Sequence, residues 1–444
     1  MAEPRELGAT APSRTAEIRA VARSDPARAE AMLCALIAEL FSIPVAGLEI
    51  NADPYSLNSL NGFFTSEGAD FFFKFHQEEG EELMRGEYYR ADILSRAGLP
   101  VDQPVQISTL PGEQLLVYAR RSDPRFSDVL FDLDRAPDPA AAARAVDAEA
   151  RLNDRLLACA RATLAPITPE QSRAEPIHRL FHERLIDQPG GAYPGGRLAR
   201  FYVGKRFAFP GGLSLHWDEF AHARPVINGM EYSRSLAELF DRAHARLVPE
   251  RLADAGGITA HGDAHNANVW YERGDDADSL TFFDPAFAGD AVPSLLAEVK
   301  STFHNVFAHP FWLYTPEIAA GRHTASLRLE ADRLLIDTDW QLSPLRRQLL
   351  HAKARHFWAP MLRMLKERGL LPDDWQEVVR LGLFLCPTLV MNLNAGAQGA
   401  PHNPVSSAIG LSVALSVGGA PVSGGDEVTR FLSDIAPISH TNDR

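Results

Sequence analysis

The sequence predicts an α+β protein of two lobes, a small antiparallel β-rich lobe followed by a large α-rich one. Three observations carry this. The 444 residues exceed one ordinary domain and suffice for a large apolar core. β-like stretches and turn residues are concentrated between Leu48 and Tyr118, and beyond Arg120 apolar residues fall mainly at helical spacing. The first lobe is expected to span 1–118 and the second 119–444, with a hinge at Tyr118 to Ser122 beside the polar, turn-forming Arg121 to Pro124.

The elements follow in order. Met1 to about Pro26 lacks clear periodicity, whereas Met32, Leu33, Leu36, Ile37 and Leu40 mark a leading helix over Ala27 to Phe41. Strands are expected at Leu57 to Thr65, at Ala69 to His76 after the turn Ser66-Glu67-Gly68, and at Val105 to Ser108 and Gln114 to Ala119 around Pro111-Gly112. Between these halves Glu81 to Ala97 reads as a helix, stopped by Gly98 and Pro100. The second lobe is read as helical, with Pro139 to Ala162 its clearest helix, and as carrying a single β-rich island around His261 to Phe287. The apolar run Ala408 to Val417 is expected to be a buried helix or strand, and the Gly- and Ser-rich stretch Gly396 to Gly425 to be loop with embedded apolar pieces.

Composition excludes several classes of function. A net charge of -14 offers no dominant basic face, which argues against a nucleic-acid partner and against anionic lipid. No uncharged apolar run reaches spanning length, so no membrane segment is expected. Cys34, Cys159 and Cys386 are three, far apart and form no Cys-x-x-Cys pair, which argues against a disulfide framework and fits a reducing cytoplasm.

Chemistry concentrates in His261-Gly262-Asp263-Ala264-His265-Asn266-Ala267-Asn268, followed by Asp284 and Gly289-Asp290. Val269-Trp270-Tyr271 and Thr281-Phe282-Phe283 read as two strands of a hairpin, so Asp263, Asn268 and Asp284 are expected to converge at one of its ends. Phosphoryl transfer needs a carboxylate to take the proton of the acceptor hydroxyl and oxygen ligands to hold Mg²⁺ on the nucleotide phosphates. Asp263 suits the first task, while Asn268 and Asp284 are the hard ligands that magnesium accepts. His261 and His265, poor magnesium ligands, are assigned to hydrogen bonds that position the loop.

His-Gly-Asp-x-His-x-x-Asn followed by Asp284 resembles the catalytic loop and metal-binding signature of the aminoglycoside phosphotransferase and choline kinase-like family. The resemblance implies a protein kinase-like fold, with Asp263 as catalytic base, Asn268 and Asp284 on Mg²⁺, and ATP, with GTP not excluded, between the lobes. It covers roughly Ile258 to Asp290 by motif and reaches back to Leu57 by element order. In such a nucleotide site a strand lysine meets the α- and β-phosphates and a helix carboxylate holds it. Lys74, inside the aromatic strand Phe71 to Phe75, is assigned to the first role and Glu87 to the second, with Glu81 and Glu82 as competing partners. The phosphate-covering loop is placed at Leu57 to Gly62, where Asn58, Ser59, Asn61 and Gly62 stand without a glycine-rich signature, and Tyr118 borders the nucleotide. Asp290, Glu298, His304, Asn305, His309 and Trp312 are candidates for the acceptor side.

The expected activity is therefore transfer of the γ-phosphate of ATP to a hydroxyl of a small metabolite, sugar, amino alcohol or antibiotic. Two rivals stand beside it. His261, Asp263 and His265 have the His-x-Asp-x-His spacing of a zinc-type hydrolase site, and a kinase-like module could bind without catalysis. The base and metal ligands are all present, which speaks against the latter, and no Ala-Pro-Glu anchor follows Asp284, which speaks against a protein acceptor.

Overall fold

The computed structural model describes residues 14–51, 59–76, 90–108, 115–308, 311–396 and 399–437. Their contacts cluster into two compact units, one formed by residues up to 92 with 101–122, the other by 93–100 with residues from 123 onward.

In the first unit the helix Pro26–Phe41 begins where the Asp25 side chain accepts from the Arg28 amide, and ends where Ser42 turns left-handed. Its buried face of Leu33, Leu36 and Ile37 packs with Phe64, Phe73, Leu115 and Val117 of the sheet into one core. The sheet holds β1 (Ala46–Ile50), β2 (Ser59–Ser66), β3 (Ala69–His76), β4 (Gln106–Ser108) and β5 (Leu115–Ala119) in the order β1-β2-β3-β5-β4, every pair antiparallel. Two features escaped the sequence. Arg14–Ala22 is a helix whose one buried side chain, Ile18, gives no periodic signal, and β1 is a further strand before the first one expected.

The second unit is mainly helical, with Phe126–Arg135, Pro139–Thr163, Trp375–Val390 and Pro404–Gly418 among its helices. Its β content is larger than one island. A short hairpin pairs β6 (Arg206–Ala208) with β7 (Ser214–His216), and a four-stranded sheet joins β8 (Arg224–Ile227) and β9 (Met230–Glu231) to two later strands, β14 (Ala325–Glu330) and β15 (Arg333–Thr338). Strands of two to six residues leave too short a pattern to read. β10 (Gly257–Ala260) pairs with β13 (Gly289–Pro293), and between them lie β11 (Val269–Glu272) and β12 (Ser279–Phe282). The apolar run Ala408 to Val417 lies, as expected, in a buried element, the helix Pro404–Gly418, covered nearly all round because its sequence has no charged residue. No helix among the described residues is long and apolar enough to cross a membrane.

Candidate active site

The site is built on the connection from β10 to β13. After the buried β10, Gly262 takes φ +75°, and a Cβ there would lie 2.4 Å from the Phe287 carbonyl oxygen, so the middle residue of His-Gly-Asp has to be glycine. His261 is wholly buried, with Nε2 3.0 Å from the Phe283 carbonyl and Nδ1 accepting from the Asp263 amide at 3.3 Å. Burial lowers its pKa, so the ring is a neutral strut between the two halves of the motif.

The β11–β12 ladder does the converging. Val269 faces Phe282, and beyond that pair the Phe283 amide donates to the Asn268 carbonyl at 3.0 Å, which sets Asn268 beside the residue preceding Asp284. Asn268 Nδ2 donates to the Asp263 carbonyl at 3.0 Å, so all three motif residues are joined through one hydrogen-bonded turn. Asp284 itself sits at φ +55°, a conformation costly for most side chains and better tolerated by aspartate.

The Asp263 carboxylate is buried and ion-paired with Lys300, whose Nζ lies 2.5 Å from Oδ1. His265 Nε2 stands 3.6 Å from the same oxygen, while its Nδ1 accepts from the Ala267 amide at 3.3 Å. Burial drives the His265 pKa down to about 4, with Asp263 opposing, so the ring is neutral at physiological pH. Burial likewise lowers Lys300 and Asp263 raises it, the balance of a buried pair. Sequence reading missed Lys300. The available signal was a lysine among Leu295, Leu296, Val299 and Phe303, where a charge on a buried face requires a carboxylate.

The acceptor-side candidates divide. Asn305 supports the loop, since its Oδ1 accepts from the Asn266 amide at 2.8 Å and its carbonyl takes a hydrogen bond from the buried Arg346 at 2.7 Å. His304 is buried, with its ring 5.3 Å from that of His265 and Nδ1 2.5 Å from the Tyr314 hydroxyl. Glu298 lies in a core network with Lys353 and Glu149, the ammonium 2.7 Å from Glu149 and 3.7 Å from Glu298, and burial raises its pKa. Trp312 is fully buried and donates from its indole to the Phe307 carbonyl, which makes it a core side chain rather than a ligand contact. Asp290 is exposed on β13 and accepts from the Thr259 hydroxyl. His309 lies outside the described residues.

In the first unit Lys74 is buried on β3 directly opposite the buried Asn61 of β2. Asn61 and Gly62 are thus ladder residues rather than a loop over phosphates, and Ser59 opens the same strand. Gly62 has its own packing reason: a Cβ would lie 2.0 Å from the Glu49 carbonyl oxygen and 2.8 Å from the Phe73 ring. Tyr118 packs against Phe72 across the β3–β5 pair. Asn58, Glu81, Glu82 and Glu87 lie outside the described residues.

As donors for a hard cation, the Asn268 amide and the Asp284 carboxylate at the open end of the hairpin fit Mg²⁺, which takes few protein oxygens and leaves the rest to phosphate and water. The zinc-type triad does not fit. Both ring nitrogens of His261 are engaged with backbone, and Nδ1 of His265 is engaged as well.

No family model matches the chain, and no curated protein matches it. Several solved structures are similar to it. A thermostable mutant of aminoglycoside phosphotransferase APH(4)-Ia, in ternary complex with AMP-PNP and hygromycin B, is 11% identical with a TM-score of 0.45, over 87% of this chain and 97% of that one. Macrolide 2'-phosphotransferase MphH from Brachybacterium faecium is 12% identical with a TM-score of 0.36, over 88% and 98%. An ethanolamine kinase of Plasmodium vivax is 11% identical with a TM-score of 0.41, over 93% and 95%. The solved structures similar to this chain thus include phosphotransferases for antibiotics and for ethanolamine.

Proposed function

We propose that the protein transfers the γ-phosphoryl group of ATP to a hydroxyl of a small molecule with Mg²⁺. The observation that carries the reading is the joining of Asp263, Asn268 and Asp284 into one turn by the Phe283–Asn268 and Asn268–Asp263 hydrogen bonds. A base beside two hard oxygen ligands is the equipment that phosphoryl transfer requires.

In this reading the acceptor oxygen forms its bond to the γ-phosphorus as the bond to the β–γ bridging oxygen breaks, ADP leaves, and the hydroxyl proton passes to the Asp263 carboxylate. Magnesium, when bound, neutralises charge on the phosphate oxygens. Asn268 and Asp284 would hold it, and the positive φ of Asp284 points to a side chain kept in a costly backbone state for such a task. Lys300 holds one oxygen of Asp263 and leaves the other for the acceptor. The neutral His265 adds no competing charge. Lys74 of the first unit is, taken by itself, a buried strand ammonium of the type that binds nucleotide phosphates.

Two substitutions test this. Asp263→Asn is expected to keep Mg-ATP affinity while lowering acceptor-dependent ADP release by about two orders of magnitude or more. Near-normal release would remove Asp263 from the base role. Asp284→Ala is expected to weaken Mg-ATP binding far more than binding of metal-free ATP, measured by calorimetry. Equal losses would count against magnesium at this position.

A further inference from the structure

We propose that Lys353 positions the turn that carries Asp263, and that it does so through two buried glutamates which hold a single proton between them, on Glu298. The worth of that positioning for turnover rests on the phosphotransfer reading; the proton stands on the charges of the cluster alone.

Lys353, Glu149 and Glu298 come from three segments of the second unit, and none is more than 2% exposed. Lys353 Nζ lies 2.7 Å from Glu149 Oε1 and 3.7 Å from Glu298 Oε2, and it donates to the Ser301 hydroxyl at 3.1 Å. Ser301 donates in turn to the Glu298 carboxyl group. The cluster reaches the turn from two sides. Asn305 Nδ2 stands 3.5 Å from Glu149 Oε1, while Oδ1 of the same side chain accepts from the Asn266 amide. Ser301 follows Lys300 in the chain, and Lys300 holds Asp263. One ammonium therefore ties both supports of the turn to the long helix Pro139–Thr163.

A plain structural role is weighed first, since a buried ion pair can simply staple two helices together. Lys353 and Glu149 would suffice for that, and the second carboxyl group is in excess. Two carboxylates against one ammonium would leave a negative charge uncompensated in a dry core. The neighbouring buried cations are engaged elsewhere, Lys300 with Asp263 and Arg346 with Asp134. One of the two glutamates is therefore neutral. The distances say which. Glu149 has the nearer ammonium and also accepts from Asn153 at 3.3 Å, whereas Glu298 has the longer contact and its Oε1 has no hydrogen-bond partner among the described residues. A bare oxygen costs less on a neutral acid than on a carboxylate. Burial raises the pKa of Glu298, with Lys353 opposing and Glu149 adding to the rise, which agrees with the charge count.

The proton is read by infrared difference spectroscopy on the full chain. At about pH 8, where ordinary carboxyl groups are ionised, the wild type minus Glu298→Gln should show the carbonyl stretch of one protonated acid. Glu149→Gln should lose the same band, because Glu298 then ionises against Lys353. Thermal midpoints give a second reading. A carboxyl group whose pKa is raised by folding adds stability that is full at low pH and is lost as the pH rises toward the raised value, so Glu298→Gln should gain on the wild type between about pH 5 and pH 8. No acid band, a band that survives Glu298→Gln, or a constant gap in midpoint would each overturn the proton. Positioning is read by hydrogen exchange in Lys353→Met/Glu149→Gln, which removes both charges together and leaves the cluster neutral. Exchange across His261 to Asn268 should rise at least about fivefold, with β8 and β15 unaffected. An unchanged turn, or an equal rise in those strands, would overturn the role of Lys353. Should that variant fail to fold, Ser301→Ala, which cuts the tie between Lys353 and the Lys300 segment, takes its place. Mg-ATP is titrated separately: its failure to bind the unaltered protein, with band and exchange as expected, would sink the phosphotransfer reading and leave the cluster standing.

Discussion

Lys300 is held in place by one carboxylate, and that dependence runs in both directions. With the ammonium 2.5 Å from Asp263 and both groups buried, Lys300→Met leaves an uncompensated charge, which costs about 3–5 kcal/mol when a buried pair is broken. Urea unfolding should show a loss of that size, and turnover should fall with it. A variant with wild-type stability would mean that the pair is open to water in solution. Asp263, Asn268 and Asp284 were legible in the sequence because their residue types and spacing are local. Lys300 was not, since it acquires meaning only from a group far away in the chain: Asp263 lies 37 residues before it (300 − 263). Glu298 and Trp312, credited with ligand contact for their polarity and size, turned out to be core residues because burial is not written in a single side chain.

At the level of elements, the turn that carries Asp263 and Asn268 is braced from outside its own hairpin. The short helical turn Val299–Thr302 continues as a π-helical stretch, Phe303–Phe307, a local irregularity often found at functional sites. That stretch presents Asn305 to the Asn266 amide, while Arg346, wholly buried between Asp134 and the Asn305 carbonyl, pins it from behind. Asn305→Ala should therefore leave the Asn266 amide without an acceptor and let the turn shift. We expect kcat to fall by about tenfold or more, with the KM for Mg-ATP changed much less. A matched loss in both would mean that Asn305 acts on nucleotide binding instead. The hairpin itself was readable from two aromatic strands flanking a polar turn, as was the long helix Pro139–Thr163 from its alanine-rich run. The bracing was not, because a π-helical register cannot be told from an α-helical one by apolar spacing.

For the molecule as a whole, the buried histidines set an acid limit. His402, with Nδ1 beside Ser406 Oγ, and His182, stacked on His244, both have pKa values lowered to about 4, burial being the main cause. His178 is lowered by burial in the same sense. In the unfolded chain these rings take protons near pH 6.5, whereas in the folded protein His402 and His182 resist until about pH 4. Their neutral burial thus adds stability that is fully present above pH 6.5 and is lost progressively as the pH falls toward 4. Thermal midpoints should drop steadily between pH 7 and pH 4.5, and His402→Gln should flatten that slope. A midpoint independent of pH over this range would refute the assignment. The α+β class, with a five-stranded antiparallel sheet in one unit and mainly helices in the other, was readable from the switch in periodicity near residue 120. The four-stranded sheet of the second unit was not, since β8 and β15, which pair in parallel, are separated by some hundred residues.

The buried helix Pro404–Gly418 bears on how the chain is made. Gly418 packs against Phe384 of the helix Trp375–Val390, and Gly382 of that helix packs against Val299, next to Lys300. Support for the Asp263 carboxylate thus passes through three layers, the last of which leaves the ribosome about 140 residues after Asp263 (404 − 263). At synthesis rates of about 5–20 residues per second, the nascent second unit would carry an unsupported loop and uncovered apolar side chains for roughly seven to thirty seconds. During that interval the protein depends on whatever shields apolar surface in its host. Yield of soluble product should respond to growth temperature and chaperone supply more than the finished protein's own stability would suggest.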